Sequence, residues 1–137
     1  MNSCSNNNTL SIGHRGAKGY VAENTYESIS KAIELGVDGI EIDVFKCASG
    51  ELVLFHDKNL KELTGESGLI ENLTTKQLEQ FLVLGKYKIP TLTDVLKRIE
   101  KPLFVNIELK GLNTAQATSK IITDLSKSTS WSLENFI

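Results

Sequence analysis

Two short segments of this chain, 39–45 and 103–109, alternate between apolar and polar residues. Glu41 and Asp43 stand between apolar neighbours in the first segment, and Glu108 does so in the second. Because successive side chains of a strand point to opposite faces, each segment predicts a strand with one apolar face and one face that carries carboxylates. The apolar face has to be covered by other elements, and the polar face needs water or another use.

The first part of the chain predicts a strand, a turn and a helix. An apolar run over 10–14 indicates a strand, and the glycine-rich stretch 16–19 indicates a turn after it. Asn24 followed by Glu27 is typical of a helix N-terminus, and Gly36 lies where a left-handed residue ends a helix. This is the best-signalled helix of the sequence.

The same signals predict six further elements. In the order strand, helix, helix, strand, helix and strand, they lie at 52–55, 74–81, 91–99, 103–109, 113–125 and 135–137. The Ser/Thr-rich stretch 126–132 is expected to end the last helix, and Asn113 to cap its start. Strands that alternate with helices are typical of a parallel β/α protein, in which the helices cover the outer face of the sheet.

The carboxylates predict a metal site if their strands are neighbours. Glu41, Asp43 and Glu108 would then converge, and like charges at short range resist joint ionisation unless a cation lies between them. Ligation by oxygen alone favours Ca²⁺ or Mg²⁺, with Mn²⁺ as a third choice. The alternative is an ordinary strand face in contact with water, which suits either strand alone. The occurrence of two such strands favours the metal site.

Both histidines of the chain lie where a predicted strand ends. His14 closes the first strand and His56 follows the strand 52–55. A near-neutral pKa suits an imidazole to remove or supply a proton, whereas a structural or surface histidine is the alternative for either one. Arg15 can hold two phosphate oxygens through its planar guanidinium, and Gly16 lets the backbone approach a ligand closely.

Two further charged residues fit the same kind of site. Glu23 can orient Arg15 through a charge-assisted hydrogen bond, although it can equally belong to the helix start. Lys110 follows Glu108 on the same strand face and can neutralise phosphate charge. The alternative for Lys110 is a solvated lysine at a strand end.

Composition excludes several classes of function. A net charge of −2 without a Lys/Arg block argues against nucleic-acid binding, and no apolar run approaches the roughly 20 residues of a membrane span. Residues 1–9 are Ser/Asn-rich, lack the features of a secretory signal and are expected to form a disordered tail. Cys4 and Cys47 suit neither a zinc cluster nor a disulfide framework, which favours a cytoplasmic location.

The chain carries the motifs IGHRG, ENT, GIEIDVF, LVLFHD, IPTLTDVL and NIELK, in this order. Together they resemble the glycerophosphodiester phosphodiesterase family. The resemblance runs from about Leu10 to the C-terminus and implies a TIM (β/α)₈ barrel, of which 10–137 would be a partial domain. It also implies hydrolysis of a small glycerophosphodiester to glycerol 3-phosphate and an alcohol, through attack by the glycerol 2-hydroxyl and a cyclic phosphate.

The resemblance assigns a role to each candidate residue. It implies that His14 and His56 are the general acid and base and that a divalent cation binds to the three carboxylates. Arg15 and Lys110 match substrate-phosphate contacts, and Glu23 matches a supporting active-site acid.

The chain is short for such a barrel, which typically takes about 250 residues. We therefore expect an incomplete barrel of about the first half, with open sheet edges through which the chain can self-associate. Two alternatives follow: a catalytically inactive fragment that at most binds metal or a phosphate ester, and a related barrel phosphodiesterase acting on lysophospholipids or sphingomyelin.

Overall fold

The computed structural model describes residues 9–137, so the predicted tail lies outside the described residues except for Thr9. The helices are α1 (Tyr26–Glu34), α2 (Lys61–Thr64), α3 (Thr75–Leu78), α4 (Leu92–Arg98) and α5 (Thr114–Ser128). The strands are β1 (Ile12–His14), β2 (Gly39–Lys46), β3 (Leu52–Leu54), β4 (Leu82–Val83), β5 (Tyr87–Lys88) and β6 (Phe104–Leu109). Short 3₁₀ turns lie at Ile70–Asn72 and Leu133–Asn135.

The main sheet is built around β2. Strands β1 and β6 pair with it in parallel, and β3 pairs antiparallel with its last residues. Phe136 and Ile137 add to β6 in parallel, through the Val105–Phe136 bridge and two backbone hydrogen bonds of Ile137. Of the strand start expected at 135–137, Phe136 and Ile137 are therefore confirmed, whereas Asn135 ends the 3₁₀ turn before them. The β/α order predicted from the sequence is confirmed.

The two faces of β2 pack against different parts of the chain. Ile40, Ile42 and Val44 are fully buried in a core shared with α1, α4 and α5. Phe45, on the opposite face, packs in a second cluster formed by the segment between β2 and α4. Burial of each large apolar side chain contributes about 1.5–3 kcal/mol. Packing on both sides therefore determines which side chains of β2 point to each face.

Helix α1 begins one residue later than the sequence predicts. Its N-cap is Thr25, whose hydroxyl accepts a hydrogen bond from the backbone N–H of Ser28 at 3.1 Å, so the prediction that Asn24 caps the helix is wrong. Asn24 has a φ of 54°, and its side chain turns to another partner in the site. Gly36, with a φ of 77°, follows the helix as predicted.

Two other predictions are corrected, and one hairpin was not predicted. Asn113 precedes α5 but makes no side-chain capping hydrogen bond. Helix α5 runs to Ser128, past its expected end at 125, and the hydroxyls of Ser126 and Ser128 donate to carbonyls of their own helix. The segment 79–89 contains a hairpin of β4 and β5 that the sequence did not indicate.

Across the described part of the chain, residues 9–137, none of the helices combines the length and the apolar character that a membrane crossing requires.

Candidate active site

Strand register brings the predicted site residues to one face of the sheet. Asp43 lies directly opposite Glu108, and Glu41 lies opposite Asn106 on β6 and opposite His14 on β1. Side chains that are neighbours across parallel strands point to the same face, so three strands deliver their polar residues together. Glu108 and His14 lie at the C-terminal ends of their strands, where barrel active sites are built.

The three carboxylates form a compact group. One oxygen from each of Glu41, Asp43 and Glu108 lies within 4.8 Å of the other two. Oxygen ligands of a single Ca²⁺ bind at about 2.3–2.6 Å and therefore lie up to about 5 Å apart, so the three oxygens fit around one such ion. The side chain of Asp43 is fully buried, that of Glu41 is 14% exposed and that of Glu108 is 54% exposed. The group thus reaches from the interior to the surface.

The two oxygens of Asp43 have different surroundings. Its Oδ2 accepts a hydrogen bond from the Asn24 amide at 2.9 Å and lies 3.4 Å from Nε of Arg15. Its Oδ1 is buried without a hydrogen bond and lies 3.4 Å from Nζ of Lys110. A buried carboxylate oxygen that lacks a hydrogen bond is costly unless a cation binds it. The all-oxygen donor set and this oxygen, which makes an ion pair with Lys110 but no hydrogen bond, fit a hard divalent cation.

The environment of Glu41 disfavours the charged form of its carboxyl group. Burial raises the pKa of Glu41, and the nearby carboxylate of Asp43 adds to that effect. The backbone N–H of Arg15, which donates to Oε2 of Glu41 at 3.0 Å, opposes the rise only in part. A carboxylate held beside another carboxylate gains most from a bound cation, because the cation favours its charged form.

Arg15 is anchored by Glu23, as the sequence predicted from the charge-assisted bond. Nη1 of Arg15 donates to Oε1 of Glu23 at 2.7 Å, and Nζ of Lys18 lies 3.1 Å from Oε2. Burial alone would raise the pKa of Glu23, but the hydrogen bonds of Arg15 and Lys18 outweigh it and hold that pKa below its ordinary value. Burial lowers the pKa of Arg15, but the bond to Glu23 and the surrounding carboxylates raise it overall.

Lys110 lies between Glu108 and Asp43. Its ammonium donates a hydrogen bond of 2.5 Å to Glu108, which lowers the pKa of the Glu108 carboxyl and raises that of Lys110. Lys110 therefore contacts the acidic group, and is not the solvated lysine of the alternative interpretation.

The two histidines border the acidic group. Nε2 of His14 lies 3.8 Å from Glu41, and its side chain is 63% exposed. Nδ1 of His56 lies 2.9 Å from Oδ1 of Asp57, and the His56 side chain is 29% exposed. A carboxylate on Nδ1 fixes the orientation of the ring and leaves Nε2 available for another partner.

Seven charged residues of this face, which do not include Asp57 beside His56, are called the site cluster below. It comprises the carboxylates Glu23, Glu41, Asp43 and Glu108 and the basic residues Arg15, Lys18 and Lys110.

Sequence reasoning missed three residues near this face: Asn24, Lys18 and Asp57. The sequence pattern favours Asn24 as a helix cap, although the capping function belongs to Thr25. Lys18 gave no signal beyond its position in the glycine-rich turn. Asp57 was visible as the residue that directly follows His56, a spacing that allows the contact seen here.

A comparison with protein families matches residues 14–133 to the glycerophosphoryl diester phosphodiesterase family. The chain belongs to this family. The glycerophosphodiester phosphodiesterase of Caldanaerobacter subterraneus subsp. tengcongensis is 37% identical over 111 residues, which cover 75% of this chain and 46% of that relative. The chain spans about half the length of the curated relatives that it matches.

Solved structures of the family share the fold. A glycerophosphodiester phosphodiesterase from Thermotoga maritima superposes with a TM-score of 0.74 at 32% identity, covering 93% of this chain and 52% of that one. A phosphodiesterase from Oleispira antarctica, solved with the product sn-glycerol-3-phosphate, gives a TM-score of 0.77 at 30% identity and covers 84% and 52%. The fold prediction, an incomplete TIM barrel of about one half, is thereby confirmed.

Proposed function

We propose that this chain carries the metal-binding and proton-transfer half of a glycerophosphodiester phosphodiesterase site. The reaction is the hydrolysis of a glycerophosphodiester to glycerol 3-phosphate and an alcohol. Membership of the family supports the reaction type, and the bound glycerol 3-phosphate of the Oleispira antarctica relative supports the substrate class. The observation that carries the proposal is the convergence of Glu41, Asp43 and Glu108 beside two histidines.

The cofactor in this proposal is a divalent cation, Ca²⁺ or Mg²⁺, with Mn²⁺ as a third choice. Glu41, Asp43 and Glu108 would hold it, and their oxygen donors favour hard ions. When bound, such an ion polarises phosphoryl oxygens and stabilises the charge that develops on them.

The remaining roles belong to the chain's own side chains. Arg15, oriented by Glu23, contacts phosphate oxygens through its planar guanidinium, and Lys110 adds a second positive charge. His14 and His56 serve as the general acid and base, one removing the proton of the glycerol hydroxyl and the other protonating the leaving oxygen. The hydrogen bond with Asp57 keeps the ring of His56 oriented for this transfer.

Self-association is a further part of the proposal. The edge of β1 that does not face β2 has no strand partner among residues 9–137, and Leu10 and Ile12 beside it are exposed. Unpaired sheet edges favour pairing with another chain. Sedimentation velocity over a concentration series tests this: a concentration-dependent dimer supports it, and a monomer throughout contradicts it.

A cytoplasmic location is proposed from cysteine usage. Cys47 is a buried free thiol, as is usual where thiols stay reduced.

The central experiment measures glycerol 3-phosphate released from glycerophosphocholine by the purified chain, with added Ca²⁺ or Mg²⁺ and with EDTA. The proposal expects release that requires the ion and that falls at least a hundredfold in His14→Ala, because a positioned proton-transfer group contributes roughly 10²–10⁴. Release that is equal with and without chelator would refute the metal assignment.

A matched control keeps stability effects apart from chemistry. Thr91→Ala removes the N-cap bond of α4 and touches no residue of the site cluster, so its turnover should match wild type. A chain that binds the ion but releases no product would instead support the inactive-fragment alternative. Preference for lysophosphatidylcholine or sphingomyelin over glycerophosphocholine would support the related barrel phosphodiesterase.

A further inference from the structure

We propose that Asn24 is a positioning residue that holds Asp43 so that only its Oδ1 faces the cation. This inference rests on the proposed metal centre and names what orients its most buried ligand.

The first observation is a double contact between Asn24 and Asp43. Nδ2 of Asn24 donates to Oδ2 of Asp43 at 2.9 Å, and Oδ1 of Asn24 accepts from the backbone N–H of Asp43 at 3.2 Å. One amide thereby contacts both the side chain and the backbone of the same residue. Two such bonds fix the rotation of the carboxylate as well as its position.

The second observation is that this pair is fully enclosed. Asn24 is 1% exposed and Asp43 is 0% exposed, so water does not compete for either bond. Hydrogen bonds in such surroundings are strong, and an unpaired polar group there is costly. Asn24 therefore contributes more than a surface contact would.

The third observation is the backbone conformation of Asn24. Its φ of 54° lies in the left-handed region, which asparagine tolerates better than most residues. The backbone N–H of Asn24 also donates to the carbonyl oxygen of Arg15 at 3.0 Å. The turn thus aims the amide at β2 while Thr25, the next residue, caps α1.

Together these contacts give the two oxygens of the Asp43 carboxylate different roles. Oδ2 is held by Asn24 with Arg15 at 3.4 Å, whereas Oδ1 makes no hydrogen bond and lies 3.4 Å from the ammonium of Lys110. Of the two, Oδ1 is therefore the oxygen open to a cation beside Glu41 and Glu108, whose carboxylate oxygens lie within 4.8 Å of one oxygen of Asp43. Loss of a partner that orients a metal ligand typically lowers metal affinity roughly 10- to 100-fold. Loss of the amide should let the carboxylate rotate and weaken ion binding.

The test is isothermal titration of the full 137-residue chain with Ca²⁺ alone. Asn24→Gly keeps the left-handed backbone and removes the amide, and we expect its affinity for Ca²⁺ to fall roughly 10- to 100-fold. Thr91→Ala is the matched control, since it removes a helix cap away from the site and should keep affinity within about threefold of wild type. Asn24→Asp should bind weakly too, because it places a like charge against Oδ2.

Thermal unfolding in EDTA provides a readout without the ion. Asn24→Gly should lower Tm more in the wild-type background than in Asp43→Ala, because the two substitutions remove the two ends of one contact.

The outcomes distinguish the positioning role of Asn24 from the proposed metal centre. Wild-type affinity in Asn24→Gly would overturn the positioning role while the metal centre stands. Absence of Ca²⁺ binding by wild type, with the coupling in EDTA intact, would refute the metal centre and with it the role of Asn24 toward an ion. Equal losses of affinity in Asn24→Gly and Thr91→Ala would also overturn the role, since loss of stability would then explain both.

Discussion

Replacement of Glu23 by Gln should reveal how strongly the site depends on its anchor for Arg15. The side chains of Glu23 and Arg15 are 11% and 14% exposed, and their hydrogen bond is 2.7 Å long. A hydrogen bond to a charged group contributes about 1.5–3 kcal/mol, and the variant keeps an uncharged acceptor while Arg15 keeps its contact with Asp43. We therefore expect a loss of about 2 kcal/mol at pH 7.

The size of the expected shift in Tm follows from the length of the chain. Unfolding entropy is about 2.1 cal/mol/K per residue, or roughly 0.3 kcal/mol/K for this chain, so a loss of about 2 kcal/mol lowers Tm by about 7 °C. Circular dichroism during heating measures this shift in Tm. Glu79→Gln, an exposed carboxylate outside the site cluster, is the control and should stay within about 0.5 kcal/mol.

The pH dependence of this difference gives a second measurement. The pKa of Glu23 is lowered in the folded chain, so its ionised form contributes stability above the unfolded pKa of about 4.3. That contribution is lost as the pH falls through the lower, folded pKa, so wild type and Glu23→Gln should converge in acid. Urea unfolding at a series of pH values tests this. A difference in stability that stays constant from pH 7 into the acid range would refute the reasoning.

Three other predictions follow. Saturating Ca²⁺ at 100 times its Kd should raise Tm by about 9 °C, equivalent to about 2.7 kcal/mol, and Glu108→Gln should lose most of this shift in a thermal scan. Asp57→Asn should change the tautomer of His56, visible in its imidazole ¹⁵N shifts, and an unchanged spectrum would contradict the orienting contact. Gly39→Ala should destabilise the chain by about 1–3 kcal/mol in urea, because a Cβ there would lie 2.6 Å from the Phe104 carbonyl oxygen; unchanged stability would refute that packing.

The alternation of β2 and β6 was predictable because it is a local property. Side chains two residues apart in a strand point to the same face. Glu41 and Asp43 therefore had to share one face of β2, and Glu108 had to lie on the polar face of β6. Their meeting at one point also needed the register of Asp43 opposite Glu108, which depends on the whole sheet. The sequence indicated this convergence only because two polar-faced strands occurred together.

The error at Asn24 has a physical cause. Asn24 and Thr25 are both good N-cap residues, so local signals could not choose between them. The choice is decided by Asp43, 19 residues further along the chain, which pairs with the amide and leaves the cap to the threonine. Local sequence patterns cannot indicate a contact between residues this far apart in the chain.

The hairpin of β4 and β5 escaped prediction for a similar reason. Its strands are two residues each, too short for an alternating pattern to appear. The turn between them uses positive φ at Leu84 and Gly85. Glycine signals such a conformation, but leucine does not, because its Cβ disfavours it. Packing of Val83 in the second hydrophobic cluster holds the hairpin in place.

The site cluster also has a simple charge balance. With four carboxylates and three basic side chains, it carries one net negative charge at neutral pH. The proposed divalent ion would bring the total to one positive charge, which the single negative charge of a phosphodiester cancels. A phosphomonoester product has about two negative charges near neutral pH, so the occupied site would then carry about one net negative charge. Under the proposed function, this charge balance would favour binding of the diester and departure of glycerol 3-phosphate.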